Sequence, residues 1–301
     1  MEQDIISGQL REILIDDELF FDEPLSRWTT WKVGGPAECL VFPSTIEKVA
    51  EVIKIAKSNN IPIVVLGNGS NVLVKDKGVK GIVINTSRLQ KIEIEGALVF
   101  AEAGVSMSAL TKYALQNSLE GLEFSVGLPA SFGGAIVTNA GAWGTSIGEL
   151  IENVKIVDME GEVKVLPKKE MVFKYRESSF TKGNQIIVGG RLKLTQGKPA
   201  EIKDRMSFCQ KSRLEKQPLK LPNAGSVFKN PKGYAAGYLI ESVGLKGFSI
   251  GGAQISDKHA NFIVNKGNAT AEEILNLMER TIQSVETFYG IHLEPEVNIL
   301  G

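Results

Sequence analysis

Two glycine-rich segments hold the residues whose spacing could do chemistry. The longer one reads Gly127-Leu128-Pro129-Ala130-Ser131-Phe132-Gly133-Gly134-Ala135-Ile136-Val137-Thr138-Asn139-Ala140-Gly141-Ala142-Trp143-Gly144 and carries no charged side chain. Fixing glycine costs conformational entropy, so a dense run in an ordered domain marks sharp turns or close contact between main chain and another group. A large, flat, anionic cofactor is the natural candidate for that group. A second loop, Gly67-Asn68-Gly69-Ser70-Asn71, comes earlier. Two separate backbone cradles point to one elongated ligand more than to a single phosphate.

Neither segment is a standard nucleotide motif. Gly67 and Gly69 begin like a dinucleotide fingerprint, but Val72 stands where the third glycine should be, and the loop leads into a strand. The Walker pattern also fails, because no Gly-Lys-Ser/Thr follows at the required spacing. Taken alone, Asn68-Gly69 between apolar runs is a hairpin signal. Beside the second glycine-rich segment, the loop makes better sense as a row of backbone N–H groups, assisted by Ser70 and Asn71, around a pyrophosphate.

Composition narrows the setting. A chain of 301 residues, 43% hydrophobic, accommodates two or three domains with substantial cores. Lys and Arg number 34 against 35 Asp and Glu, so no global field draws the protein to nucleic acid or an anionic membrane. Cys39 and Cys209 lie far apart without metal-ligand spacing, which fits buried or incidental thiols in a reducing compartment. With His259 and His292 the only imidazoles, no metal site is expected. The acidic start Met1-Glu2-Gln3-Asp4 lacks the features of a secretory signal, and no apolar run reaches membrane-spanning length, so a cytoplasmic location is expected.

The elements that must position these loops are legible in outline. Ser44-Thr45-Ile46-Glu47 reads as a capping box ahead of a helix that ends near Asn59-Asn60. Ile61 to Leu66 and Val72 to Val74 flank the first loop as strands, and Ile82 to Ile84, Lys91 to Ile94 and Leu98 to Ala103 are further strands. Ser106 caps a helix to about Asn117. Ile151 to Asp158 and Gly161 to Leu166 form a hairpin, and Gln185 to Thr195 is another strand. Beyond a boundary near Gly197-Lys198-Pro199, helices are expected over Glu201 to Leu214 and Tyr234 to Val243. A last helix opens at the capping box Thr270-Ala271-Glu272-Glu273 and is closed by Gly290.

With the elements placed, the residues resemble a known family, the UDP-N-acetylenolpyruvoylglucosamine reductases, over nearly the whole chain. The resemblance rests on Thr30-Trp31-Lys32-Val33-Gly34-Gly35-Pro36-Ala37, both glycine segments, Tyr175-Arg176-Glu177-Ser178-Ser179-Phe180, Asn223-Ala224-Gly225-Ser226-Val227-Phe228-Lys229-Asn230-Pro231, and Glu294-Pro295-Glu296-Val297. It implies an α+β fold: an FAD-binding domain of two α+β subdomains, similar to those of vanillyl-alcohol oxidase and p-cresol methylhydroxylase, followed by a C-terminal α+β substrate-binding domain. Subdomains over 1–85 and 86–196 and a substrate domain over 197–301 are expected. NADPH is implied as co-substrate, a noncovalent FAD as cofactor, an enolpyruvyl nucleotide sugar as substrate, and UDP-N-acetylmuramate, a peptidoglycan precursor, as product. A monomer acting on small molecules is expected.

The resemblance also implies roles. Hydride addition to the terminal carbon of an enolpyruvyl ether pushes negative charge toward the adjacent carbon and its carboxylate. Arg176 suits bidentate contact with that carboxylate, Glu296 shares a proton or hydrogen bond with the developing acid, and Ser226 protonates the adjacent carbon. FAD contacts are implied for Gly67, Asn68, Gly69, Ser70, Asn71 and Val72, for Gly127, Pro129, Ser131, Gly133, Gly134, Asn139, Gly141 and Ala142, and for Val188 and Arg213. Substrate contacts are implied for Lys229, Asn230 and His259. Without the resemblance, Arg176 reads as a surface ion-pair partner, Glu296 as a surface carboxylate and Ser226 as a turn residue.

The short path from Phe180 to Gly190 has no room for the tyrosine-bearing loop of the family's longer subclass, so the chain resembles the shorter one, with a more open substrate channel. Two rival readings are weaker. A degenerate nucleotide-binding module need not keep Arg176, Ser226 and Glu296 together. A flavin oxidase with histidine-tethered FAD is disfavoured because both histidines lie at or beyond position 259. Acid precipitation is therefore expected to release the yellow colour into the supernatant; colour held in the pellet would show a covalent link.

Overall fold

A computed structural model describes residues 2–181 and 183–301, with side chains from Ile6 onward. The chain forms two compact units. The larger takes the chain up to Asp22, then Glu38–Asn68 and Lys80–Lys211; the smaller takes Glu23–Ala37, Gly69–Val79 and Ser212–Gly301. The crossing at Asn68-Gly69 falls inside the first glycine loop.

In the larger unit a four-stranded sheet has the order Leu19–Pro24, Pro36–Val41, Val79–Asn85, Ile63–Leu66, the last two pairing in parallel. Against it packs the helix Ile46–Ser58, whose buried Val49, Val52, Ile53 and Ala56 recur at the spacing that keeps one face apolar. A five-stranded antiparallel sheet follows, ordered Val163–Pro167, Ile151–Asp158, Gln185–Lys193, Leu98–Glu102, Ile92–Glu95. Its strand Gln185–Lys193 serves both cores of the unit. The register slips between Lys155↔Gly189 and Ile156↔Ile187, leaving Val188 as the extra residue of a bulge. Ile186 and Val188 enter the core under the first helix, while Ile187 and Leu192 enter the core around Phe132 and Ile136. A one-residue slip exchanges faces, so a single strand fills two cores.

The smaller unit is built round the helix Ala271–Tyr289. Thr270 and Glu273 complete the expected capping box, and Gly290 ends the helix in the left-handed conformation. Ile274, Leu277, Met278 and Val285 face a core shared with Trp31, Leu73, Val227 and Phe228. The strand Val72–Val74 pairs in parallel with Asn298–Leu300. The Asn68-Gly69 hairpin, the alternative to a backbone cradle, does not form, since the strand leaving the loop takes Asn298–Leu300 as its partner.

One cap differs from expectation. The N-cap of Ile46–Ser58 is Thr45, whose side chain accepts the Lys48 N–H; Ser44 instead gives its N–H to the Glu18 carboxylate at 3.0 Å. Glu18 is fully buried and also accepts from Ile15 N–H at 3.1 Å and Lys48 Nζ at 2.6 Å. Burial pushes its carboxyl up, but the bonds from Lys48, Ser44 and Ile15 prevail and hold it below the usual carboxylate range. Cys39 is also buried, and burial beside Glu38 pushes its thiol up to about 12. Among the described residues no helix is long and apolar enough to cross a membrane.

Replacing Glu18 with alanine strands the Ser44 and Ile15 N–H groups and the Lys48 ammonium. A loss of about 3 kcal/mol in urea unfolding is expected. In the native protein this contribution is present at neutral pH, because the folded carboxyl lies below its unfolded value. It is lost as pH falls through the folded value, below the usual carboxylate range. A Glu18→Ala protein as stable as the parent would refute the assignment.

Candidate active site

In the larger unit the first loop is pressed onto the start of the short helix Phe132–Val137. A Cβ at Gly67 would stand 2.3 Å from the Ser131 Oγ, and Asn68 Nδ2 donates to the Pro129 carbonyl at 3.0 Å. Ser131 is buried and caps the helix by accepting the Gly134 N–H. The next amides are also committed: Phe132 N–H donates to Val105 O at 2.7 Å and Gly133 N–H to Ala103 O at 2.9 Å. A Cβ at Gly133 would lie 2.9 Å from that of Ala103. These glycines let backbones meet. Val188 buries its side chain and accepts the Ala103 N–H, holding the far side of the same strand-to-helix turn. Gly127 has φ +72° just before Pro129.

The helix ends in a Schellman turn: Asn139 N–H donates to Ile136 O and Ala140 N–H to Ala135 O, with Asn139 left-handed at φ +45°. Asn139 is buried, and its amide reaches two further segments. Nδ2 donates to Lys174 O at 2.8 Å, and Oδ1 accepts the Gly148 N–H at 3.0 Å. Lys174 and Glu177 pair across a tight hairpin whose turn residues are Tyr175 and Arg176. Arg176, at φ +57°, donates Nη1 to Gly141 O at 3.1 Å, and its guanidinium lies 5.2 Å from the centre of the Tyr175 ring. Gly141 and Ala142 belong to a second small hairpin, with Ser146 and Thr145 opposite them.

In the smaller unit Thr30 joins the other half of the first loop to the Ser226 turn. Its N–H donates to Gly69 O at 3.0 Å, and its hydroxyl to Asn223 O at 2.7 Å. Only glycine fits at 69, where φ is +61° and a Cβ would lie 2.1 Å from Trp28 O. Because carbonyl and following N–H point oppositely across a trans peptide, anchoring Gly69 O to Thr30 turns the Ser70 N–H outward from that contact. The donor set therefore fits a diphosphate-bearing cofactor at this loop. Asn71 Nδ2 donates to Glu296 O at 3.1 Å, Glu296 N–H donates to Val227 O at 2.7 Å, and Asn298 N–H donates to Asn71 O. Glu296 and Ser226, both half-buried, thus sit on joined segments next to Asn71.

Asn223 Oδ1 accepts the Gly225 N–H, making the turn that presents Ser226. Asn261 clamps the following residues: its backbone carbonyl takes the Val227 N–H, its Oδ1 the Phe228 N–H, and its Nδ2 donates to Phe228 O. His259 Nδ1 accepts the Asn261 N–H, which puts the ring proton on Nε2, and burial drives the ring's pKa down, so it is neutral at pH 7. Lys229 pairs with Glu294, and Asn230 Oδ1 accepts the Ala236 N–H at the start of the Ala236–Ser242 helix. Arg213 is buried near the end of the Pro199–Lys216 helix.

Ser226, Glu296 and Asn71 are brought together in the smaller unit; Gly67, Asn68, Pro129, Ser131, Gly133 and Gly134 are brought together in the larger, with Asn139, Gly141 and Arg176 forming a separate group there. Asn261 carries no role in the sequence motifs, and Thr30 enters them only as the first residue of the motif 30–37, with no role of its own. A polar residue inside the apolar run Ala260-Asn261-Phe262-Ile263-Val264 was the available signal, since buried amides are hydrogen-bonded.

This architecture defines the fold of an FAD-binding protein. Residues 37–166 match the family described as "FAD binding domain", and residues 217–300 match "UDP-N-acetylenolpyruvoylglucosamine reductase, C-terminal domain". A p-cresol methylhydroxylase structure shares the fold at a TM-score of 0.52 and 14% identity, over 95% of this chain and 64% of that one. The chain belongs to the UDP-N-acetylenolpyruvoylglucosamine reductases, a family of FAD-dependent oxidoreductases. It is 42% identical over 298 residues to the reductase of Caldanaerobacter subterraneus subsp. tengcongensis, covering 99% of both chains, and 43% identical over 293 residues to that of Clostridium botulinum strain Okra, covering 97% of this chain and 96% of the relative. The solved reductase from Thermus caldophilus superposes with a TM-score of 0.81 at 36% identity, over 94% of this chain and 98% of that one.

The contact of Gly67 with Ser131 yields a double-mutant test. Gly67→Ala is expected to cost about 2 kcal/mol by displacing a buried cap, and Ser131→Ala about 1 kcal/mol by deleting it. With the Oγ gone, Gly67→Ala should cost much less, a coupling read from thermal or urea unfolding. Strict additivity would mean that the two residues do not meet.

Proposed function

We propose that the protein reduces UDP-N-acetylenolpyruvoylglucosamine to UDP-N-acetylmuramate with NADPH as electron donor, a step in making peptidoglycan precursors. FAD, when bound, supplies the redox centre that accepts hydride from one substrate and delivers it to the other. The chain's own residues bind, orient and move protons. The Ser70 N–H, which follows the anchored Gly69 carbonyl, and the backbone N–H of Asn68 are the donors for the cofactor diphosphate. Arg176 takes the substrate carboxylate through its planar fork of donors, where negative charge builds as hydride arrives. Glu296 shares a proton with the developing acid. Ser226 gives a proton to the carbon next to the carboxylate.

The observation that carries this reading is the junction in the smaller unit. The Glu296 N–H to Val227 carbonyl bond, at 2.7 Å, and the bond from Asn71 Nδ2 to the Glu296 carbonyl hold a hydroxyl and a carboxylate on neighbouring segments beside the proposed cofactor loop. The neutral His259, with its proton on Nε2, is a donor for the nucleotide sugar. Occupancy of one site by both substrates in turn implies ping-pong kinetics with parallel initial-rate lines.

A serine hydroxyl is a weak acid, so its removal should be felt in turnover and not in binding. Ser226→Ala is expected to lower kcat for product formation about 10²- to 10⁴-fold while FAD content and the rate of flavin bleaching by NADPH stay at parental values. Near-parental product formation in that variant would sink the proton-donor assignment.

A further inference from the structure

Arg176 occupies a backbone conformation that an arginine does not choose. At φ +57° it sits second in the two-residue turn of the Phe173–Lys174 and Glu177–Ser178 hairpin, a position that suits glycine. Such strain persists only where surrounding contacts over-determine it. Two of those contacts come from the segment 139–141 and form a closed pair. Asn139 Nδ2 holds the Lys174 carbonyl at 2.8 Å, two residues before Arg176, and Arg176 Nη1 returns to the Gly141 carbonyl at 3.1 Å, two residues after Asn139.

Asn139 is itself held from three sides. Its backbone is the left-handed cap of the Phe132–Val137 helix, its Oδ1 takes the Gly148 N–H at 3.0 Å, and the side chain is buried. Gly148 has to be glycine for this, since a Cβ there would lie 2.8 Å from Asn139 Oδ1 and 2.6 Å from the Phe173 ring. Ser178 Oγ ties the other strand of the hairpin to Val137 O at 2.7 Å. An amide is required at 139: the carbonyl oxygen meets a donor and the nitrogen meets an acceptor, so neither aspartate nor a hydrocarbon reproduces both bonds.

We infer that Asn139 is a positioning residue for Arg176, fixing through the Lys174 carbonyl the hairpin tip from which the guanidinium meets the substrate carboxylate. The inference rests on the role given to Arg176 above. Two variants separate positioning from folding: Asn139→Gly keeps the left-handed cap and deletes both side-chain bonds, and Asn139→Asp keeps the acceptor for Gly148 but loses the donor to Lys174.

The test is calorimetric titration of the FAD-loaded variants with UDP-N-acetylenolpyruvoylglucosamine and with UDP-N-acetylglucosamine, which lacks the enolpyruvyl carboxylate. Both variants are expected to bind the first about 10- to 100-fold more weakly, with kcat/KM falling in step. Affinity for the second should change by no more than about twofold, because Arg176 makes no contact that it can lose. Equal weakening of both ligands, no weakening, or loss of FAD from the variants would overturn the inference. Arg176→Lys serves as the reference. If it shows the selective loss and the Asn139 variants do not, only the positioning role falls; if Arg176→Lys itself spares the enolpyruvyl ligand, the role of Arg176 falls.

Discussion

The smaller unit depends on the parallel pairing of Asn298–Leu300 with Val72–Val74. It joins the residues that leave the first glycine loop to the strand that begins two residues beyond Glu296. Asn71 stands at the entry to that pairing, giving its carbonyl to Asn298 and its side chain to Glu296. Glu296 in turn binds Val227, whose neighbour is Ser226. A hydroxyl and a carboxylate seventy residues apart in sequence are thereby held in register by main-chain bonds, which lock geometry more tightly than two flexible side chains meeting on a surface.

In the larger unit the constraint is steric. The glycines of the long segment look like an open cradle, yet the first amides of its helix are spent on Ala103 and Val105, and Gly67 and Gly133 are filled against Ser131 and Ala103. The segment's density of small residues thus reflects close packing of backbones as much as approach to a ligand. In the first loop, by contrast, Thr30 anchors the Gly69 carbonyl and turns the following amide the other way, leaving it free of that contact. One glycine run was legible as chemistry and is also architecture; the shorter loop carries more of the donor geometry than its length suggests.

Local signals were read correctly where one residue decides the outcome. Thr270 with Glu273 and the left-handed Gly290 bound their helix as the sequence pattern requires, and Ser106 caps the helix Met107–Gln116. Signals failed where a distant residue intervenes. Ser44 opens the capping-box pattern, but its N–H goes to the distant Glu18 and Thr45 is the cap. Asn68-Gly69 carried a hairpin signal, but strand pairing is settled by a partner more than two hundred residues away. The interleaving of two early segments with the C-terminal unit has no compositional mark, because it is made by Trp31 and Leu73 entering a core with Val227 and Leu277. The bracing amide of Asn139 leaves no mark of its own, since an asparagine in a loop motif looks the same whether it faces water or a backbone N–H and a carbonyl.

Strain and bracing go together around the Arg176 hairpin. Asn139, Trp143 and Arg176 all take left-handed backbone angles, of +45°, +51° and +57°, within two short hairpins and a helix end that bond to one another. Asparagine tolerates that region because its side chain satisfies the local backbone, whereas tryptophan and arginine pay on the order of 1 kcal/mol each. A fold selected for stability alone would place glycine at 143 and 176. Keeping a tryptophan and an arginine there, with a buried amide and the obligatory Gly148 to support the second of them, fits a hairpin tip shaped for contact with something outside the chain. The positive charge at 176 is thus held where a turn, and not the side chain's own preference, sets its direction.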